Sequence, residues 1–136
     1  MPSTLKLTNR QILNLRDGFK SLDGVPGRPG EVIRFEFDAG LSWNITKNTV
    51  IIERAVEVYE RQRAKITKES GVAAGTTVTD ANAEKVSAWK EKLDALRNDE
   101  TQELVGLLKI PRAELQKAGV KFPGILANLF PLLESE

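Results

Sequence analysis

The chain has 136 residues, 40% of them hydrophobic and 29% charged, with 20 Lys and Arg against 19 Asp and Glu for a net charge of +1. That size and mix suit one domain, 1–136, with one moderate core. The near balance of charge argues against a dedicated nucleic-acid binder, which needs a basic excess to release counterions from phosphates.

Cysteine and histidine are both absent. Disulfides, zinc sites built on thiolate or imidazole, and Ser–His or Cys–His nucleophilic catalysis are therefore excluded. No apolar signal-peptide core occupies the first ten residues, and no apolar run approaches the ~18 residues of a membrane span. The expectation is a cytoplasmic protein without membrane association, cofactor or metal.

In chain order, Thr8 and Gln11 have the capping-box form. Ile12, Leu15, Phe19 and Leu22 follow at helical spacing, which predicts a first helix from about Asn9 to Ser21. Gly24 to Gly30 (GVPGRPG) holds three glycines and two prolines and predicts a loop. Ile33, Phe35 and Phe37 alternate with Arg34 and Glu36, the period of a short half-buried strand.

The dominant signal comes next. Leu41, Ile45, Asn48, Ile52, Ala55, Tyr59, Gln62 and Ile66 recur at alternating steps of four and three residues, the rhythm of one helix face. No proline lies between Pro29 and Pro111, and no glycine between Gly40 and Gly71. One helix over about 38–70 is predicted, roughly 45–50 Å long at 1.5 Å per residue. Asp38 is its expected N-cap, Gly71 its C-cap, and Glu57 is placed to pair with Arg61.

Residues 72–79 read as an exposed loop, and Thr79 or Asp80 as the cap of a helix carrying Val86, Trp89, Leu93 and Leu96 to about Asn98. That helix should fold back on the second half of the long one as an antiparallel hairpin. Glu103 to Ile110 (ELVGLLKI) reads as a second strand, pairing with Ile33–Phe37. Pro111–Gly119 and Pro123–Leu129 each read as a short helix with proline in its first turn. The fold class expected is mainly α with a small two-stranded sheet, its long central helix braced by a helical hairpin.

A helix that long needs company along its length. Burial on Leu41, Ile45, Asn48, Ile52, Tyr59 and Ile66 exceeds what one chain of this length offers, so these residues form a candidate oligomer seam and a symmetric dimer is expected. Asn48 either fixes register at that seam or sits at its edge, the stripe shifting to Ile51.

Trp43, Asn44, Lys47, Arg54 and Arg61 flank the stripe as a candidate binding set. An aromatic beside amide and cationic groups can stack on and hold an anionic, nucleotide-like ligand; the plainer reading, which is preferred, packs Trp43 under the first helix and leaves Lys47 in solvent. Arg61 and Lys68 extend the flank as a basic strip. Glu31, Glu36 and Asp38 are the one group of acids considered for a divalent cation, and Gly24–Gly30 lacks the ending of a phosphate-binding P-loop.

Leu5 to Leu15 (LKLTNRQILNL), Ile52 to Ile66 (IERAVEVYERQRAKI) and Ile125 to Leu133 (ILANLFPLL) together resemble a group of small uncharacterised helical proteins of bacteriophages, from which the chain departs by its Gly24–Gly30 insertion. The resemblance implies a viral origin and carries over no catalytic residue. The function expected is a non-enzymatic, phage-type interaction protein acting on a host or viral protein, in host-defence inhibition or as a virion-assembly accessory. The alternative is a binder that sequesters a nucleotide second messenger between chains, and a metal-dependent hydrolase ranks last.

Overall fold

A computed structural model describes residues 4–72 and 77–134. Strand β1 (Thr4–Thr8) leads into α1 (Asn9–Leu22), followed by the two-residue strands β2 (Val25–Pro26) and β3 (Val32–Ile33). The long helix α2 (Ala39–Ser70) and α3 (Ala83–Asn98) come next. Strands β4 (Thr101–Val105) and β5 (Ile110–Pro111), helices α4 (Arg112–Lys117) and α5 (Pro123–Leu129), a 3-10 turn at Phe130–Leu132 and β6 (Leu133–Glu134) complete the chain. The fold is mainly α with small two-stranded sheets.

The helix boundaries follow from local chemistry. Thr8 Oγ1 accepts from Gln11 N at 3.1 Å while Gln11 Oε1 accepts from Thr8 N at 2.9 Å, so the capping box starts α1. Asp38 Oδ1 accepts from Leu41 N at 2.7 Å and starts α2. Gly71 ends it at φ +71°, the left-handed conformation that an L side chain resists. The third cap lies further on than Thr79 or Asp80: α3 starts after Asn82, whose Oδ1 accepts from Thr79 N and whose Nδ2 donates to Thr77 O. That amide holds the preceding loop rather than the helix.

The sheet differs from the expected pairing of Ile33–Phe37 with Glu103–Ile110. β1 and β4 pair antiparallel, with Leu5 opposite Leu104, Leu7 opposite Gln102 and Lys6 opposite Glu103. Val32–Ile33 instead turns back on Val25–Pro26, so the Gly24–Gly30 loop carries one arm of a minimal hairpin. Phe35 and Phe37 leave the ladder, and Phe35 packs on Phe37 and on Phe122, with ring centroids 6.3 and 6.0 Å apart. Their alternation reflects two rings turned into the same cluster, not a pleat.

α2 is braced by its own chain along its length. α1 crosses its first half, and α3 returns antiparallel along its second, where Trp89 Nε1 donates to Thr67 Oγ1 at 3.0 Å. Ile12, Leu15, Phe19 and Leu22 of α1 join Leu41, Ile52 and Ala55 of α2 and Ile125, Leu129 and Leu132 in one core. Leu41, Asn48, Ile52 and Tyr59 are buried, Ile45 and Ile66 half-buried, and Gln62 exposed. The proposed oligomer seam is therefore an intrachain core over Leu41–Tyr59. A second copy is not needed to cover it, because α1 and α3 lie on it and the β4 segment meets it at Asn48 and Ala55. Of the expected exposed loop 72–79, Val72 is buried, Thr77–Thr79 are exposed, and 73–76 lie outside the described residues.

Asn48 neither fixes a dimer register nor sits at the edge of the stripe. It is fully buried; its Nδ2 donates to Leu108 O at 2.8 Å and its Oδ1 accepts from Leu108 N at 2.7 Å. A second amide knot lies toward α3. Asn9 Nδ2 donates to Leu96 O at 2.7 Å, and Gln102 Nε2 donates to Asn9 Oδ1 at 2.8 Å and to Ala55 O at 2.9 Å. One knot thus joins α1, α2, α3 and β4.

Two substitutions test this packing. Asn48→Leu leaves both backbone groups of half-buried Leu108 without their partner, at about 1–3 kcal/mol for each unsatisfied group; urea denaturation should show a loss of roughly 2–5 kcal/mol, and a loss below about 1 kcal/mol would refute the clamp. At Gly18 an added Cβ would stand 2.7 Å from Leu129 Cδ2 and 3.2 Å from Asn128 Cβ. Helix propensity alone favours Gly18→Ala by about 1 kcal/mol, but overpacking costs about 1–3 kcal/mol. The thermal midpoint should fall for Gly18→Ala and fall further for Gly18→Val.

Candidate functional site

With one side of α2 given to the core, the opposite side is fixed by helical geometry. At about 100° per residue, Trp43, Lys47, Val50, Arg54, Glu57, Arg61, Lys65 and Lys68 fall within roughly 40° of one line, diametrically opposite Ile52. All eight are exposed. Lys47, Arg54, Arg61 and Lys68 stand seven residues apart, a rise of about 10 Å each, so the cations run over roughly 30 Å of helix.

Trp43 opens this line with 62% of its surface exposed, so it does not pack under α1. Lys47 Nζ lies 5.8 Å from its ring centroid, within the range of a cation–π contact. Among the described residues the ion pairs are Arg16–Asp17 at 3.3 Å and Glu60–Arg63 at 3.7 Å. The expected Glu57–Arg61 pair does not form, and the five cations of the line hold no carboxylate.

Of the sequence candidates, Trp43, Lys47, Arg54 and Arg61 therefore share one face. Asn44 does not join them: it sits about 100° round the helix from Trp43 and is half-buried. Among the described residues, the cavities found beside α1, α2, α4 and α5 are lined by none of these four. A groove of about 280 Å³ between α1 and α2 is lined instead by Phe19, Lys20, Asp23, Ile45, Thr49 and Glu53, among others, and by none of the candidate set. It touches the line only through Val50.

Glu31, Glu36 and Asp38 lie on the segment before α2, and among the described residues no group of three or more acids is gathered to hold a metal ion. Among the described residues, too, no helix is long and apolar enough to cross a membrane. Comparison with known proteins finds no matching family model, no similar curated protein and no similar solved structure.

The sequence reading missed the cluster of Arg10, Arg16 and Arg97, which line one cavity at the junction of α1 and α3. No spacing signal could have found it, since Arg97 reaches α1 only through the fold.

The exposure of Trp43 beside a cation can be measured. Trp89 is half-buried and its indole N–H is engaged with Thr67, so iodide should quench two distinct emission components. Trp43→Phe should remove the more accessible one, and Lys47→Glu should lower its iodide quenching while leaving quenching by neutral acrylamide within about 20%, because only the anion senses the local charge. Identical quenching of both tryptophans would contradict this placement.

Proposed function

We propose that the chain is a non-enzymatic interaction protein of the phage type, acting on a host or viral protein, and that the solvent side of α2 is its contact surface. The observation that carries this reading is the unpaired line Lys47–Arg54–Arg61–Lys65–Lys68, headed by an exposed Trp43, on a helix clamped from behind. A rigid row of cations with an aromatic anchor at one end favours a partner with an acidic surface; tryptophan and arginine are the residues most enriched among energetic anchors of interfaces. Host-defence inhibition and a role in virion assembly both fit such a surface. The viral assignment rests on the resemblance of Leu5–Leu15, Ile52–Ile66 and Ile125–Leu133 to phage proteins.

A second reading has one observation in its favour. Trp43 and Lys47, 5.8 Å from ring to ammonium, form an open stacking platform beside positive charge, as a nucleotide-like ligand requires. Arg54 and Arg61 would then meet its phosphates. Ligand at a hundredfold excess over Kd raises stability by about 2.7 kcal/mol, so cyclic and linear nucleotides should shift the melting temperature if this reading holds. Absence of any shift removes it.

The leading reading predicts that Lys47→Glu, Arg54→Glu and Arg61→Glu combined leave the melting temperature within about 3 °C, since exposed charges contribute little to stability. Partner binding should weaken at least about tenfold, and wild-type binding should fall steeply with added salt. A partner bound equally by the charge-reversed chain would place the contact surface elsewhere.

A further inference from the structure

A second positive cluster lies away from α2, where the start of α1 meets the end of α3. Arg10, Arg16 and Arg97 line one cavity of about 380 Å³ with Leu13, Asn14 and Asp17. Arg10, Leu13, Asn14 and Asp17 share one face of α1 at helical spacing, and Arg97 enters from the last turn of α3. Asp17 answers only one of the guanidiniums: Arg16 Nε donates to its Oδ1 at 3.3 Å. Three guanidiniums and one carboxylate leave the lining with a charge of +2.

Arg97 carries the argument further. Its Nε is buried and donates to no acceptor. A cation in the last turn of a helix ordinarily serves the free carbonyls there, but two of these are already engaged. Ala95 O accepts from Asp99 N at 2.9 Å and from Glu100 N at 3.1 Å, and Leu96 O accepts from Asn9 Nδ2 at 2.7 Å. A charged donor removed from water without an acceptor is disfavoured. The rest of the Arg97 side chain lines the cavity beside Arg10 and Arg16, and an anion there would offset the crowding of like charges and the burial of this one.

We propose that this cavity binds a phosphomonoester dianion. Guanidinium groups present paired N–H donors in the geometry that phosphate oxygens accept, and the Asn14 amide adds a neutral donor. A phosphomonoester carries about −1.5 to −2 near pH 7, which matches the +2 of the lining, whereas a carboxylate would leave half of it uncompensated. Leu13 gives the wall an apolar portion, so the phosphate would carry a small organic group rather than enter bare.

Isothermal titration of the full chain with inorganic phosphate, a phosphoserine peptide and adenosine monophosphate tests the site and separates the possible sources of the phosphate. At least one probe should bind saturably with one site per chain, and the tightest identifies the source. Arg10→Gln and Arg97→Gln should each weaken it at least about tenfold, while Lys47→Gln on α2 should leave it within about twofold. Asp17→Asn should tighten it. Without ligand, Arg97→Met should melt no lower than the wild type, because the change removes an unpartnered donor; a purely structural Arg97 would melt lower. Binding that never saturates, or that survives Arg10→Gln and Arg97→Gln unchanged, means an adventitious ion only and overturns the proposal.

Discussion

A 32-residue helix stays attached to a small domain only if its apolar stripe is covered, and the middle of this stripe is an amide. Asn48 is buried among Leu41, Ile52 and Ala55 and would be a liability with nothing to bond. It meets the backbone N–H and C=O of Leu108 at 2.7 and 2.8 Å, completing both ends of one peptide residue as a neighbouring strand would. Hydrophobic contact alone does not fix where a segment lies along a helix. A two-point hydrogen bond does, because a shift of one residue leaves three buried polar groups unpaired. Gly106, at φ +89°, turns the chain out of β4 so that Leu107 and Leu108 arrive there. The Asn9–Gln102–Ala55 knot fixes β4 on the same helix about two turns further on. Helices α1 and α3 pack onto the frame that these amides have registered, and α5 packs in turn onto α1.

What could be read from the sequence divides by the range of the interaction. Caps act over three or four residues, so Thr8 with Gln11, Asp38 and Gly71 set helix ends that the structure keeps. The stripe from Leu41 to Tyr59 is likewise local, since 3.6-residue periodicity states which side is apolar. It does not state what covers that side. The covering strands pair residues separated by most of the chain, Leu7 with Gln102 and Leu5 with Leu104. The alternation of Leu5, Lys6 and Leu7 was too short to stand out beside the longer run Ile33–Phe37. In that run Phe35 and Phe37 found ring partners in Phe122 and one another instead of a ladder. The polar position at Asn48 was visible, but its acceptor lies 60 residues away, and without it a second chain was the natural way to account for the stripe.

The same division governs the two basic surfaces. Trp43, Lys47, Arg54 and Arg61 sit on one secondary-structure element, so helical geometry placed them on a common face before any tertiary contact was known. Asn44, adjacent to Trp43 in sequence, is separated from that face by rotation about the axis. Arg10, Arg16 and Arg97 come from two helices joined by the Asn9–Leu96 hydrogen bond, and only tertiary structure brings them to one cavity. A net charge of +1 hides both surfaces, because a sum over the chain does not show that five cations share the α2 line with one acid, Glu57, or that three arginines share a cavity with one aspartate.

Segregation of this kind has a cost that depends on spacing. Lys47, Arg54, Arg61 and Lys68 stand about 10 Å apart along α2, beyond the Debye length of ~8 Å at physiological salt. Each therefore repels the next only weakly, and the line is tolerated on a folded chain. Lys65 lies closer to Arg61 and Lys68, within helical i, i+4 and i, i+3 reach, where a like-charge pair costs a few tenths of a kcal/mol. The side chains remain free to move, and ordering them against a partner consumes rotamer entropy. The backbone beneath them does not have to be ordered at all. The amide clamps, α1 and α3 have already fixed it, so the spacing of the charges is set before any encounter, and selectivity for a matching row of acids follows from the rigidity of the helix that carries them.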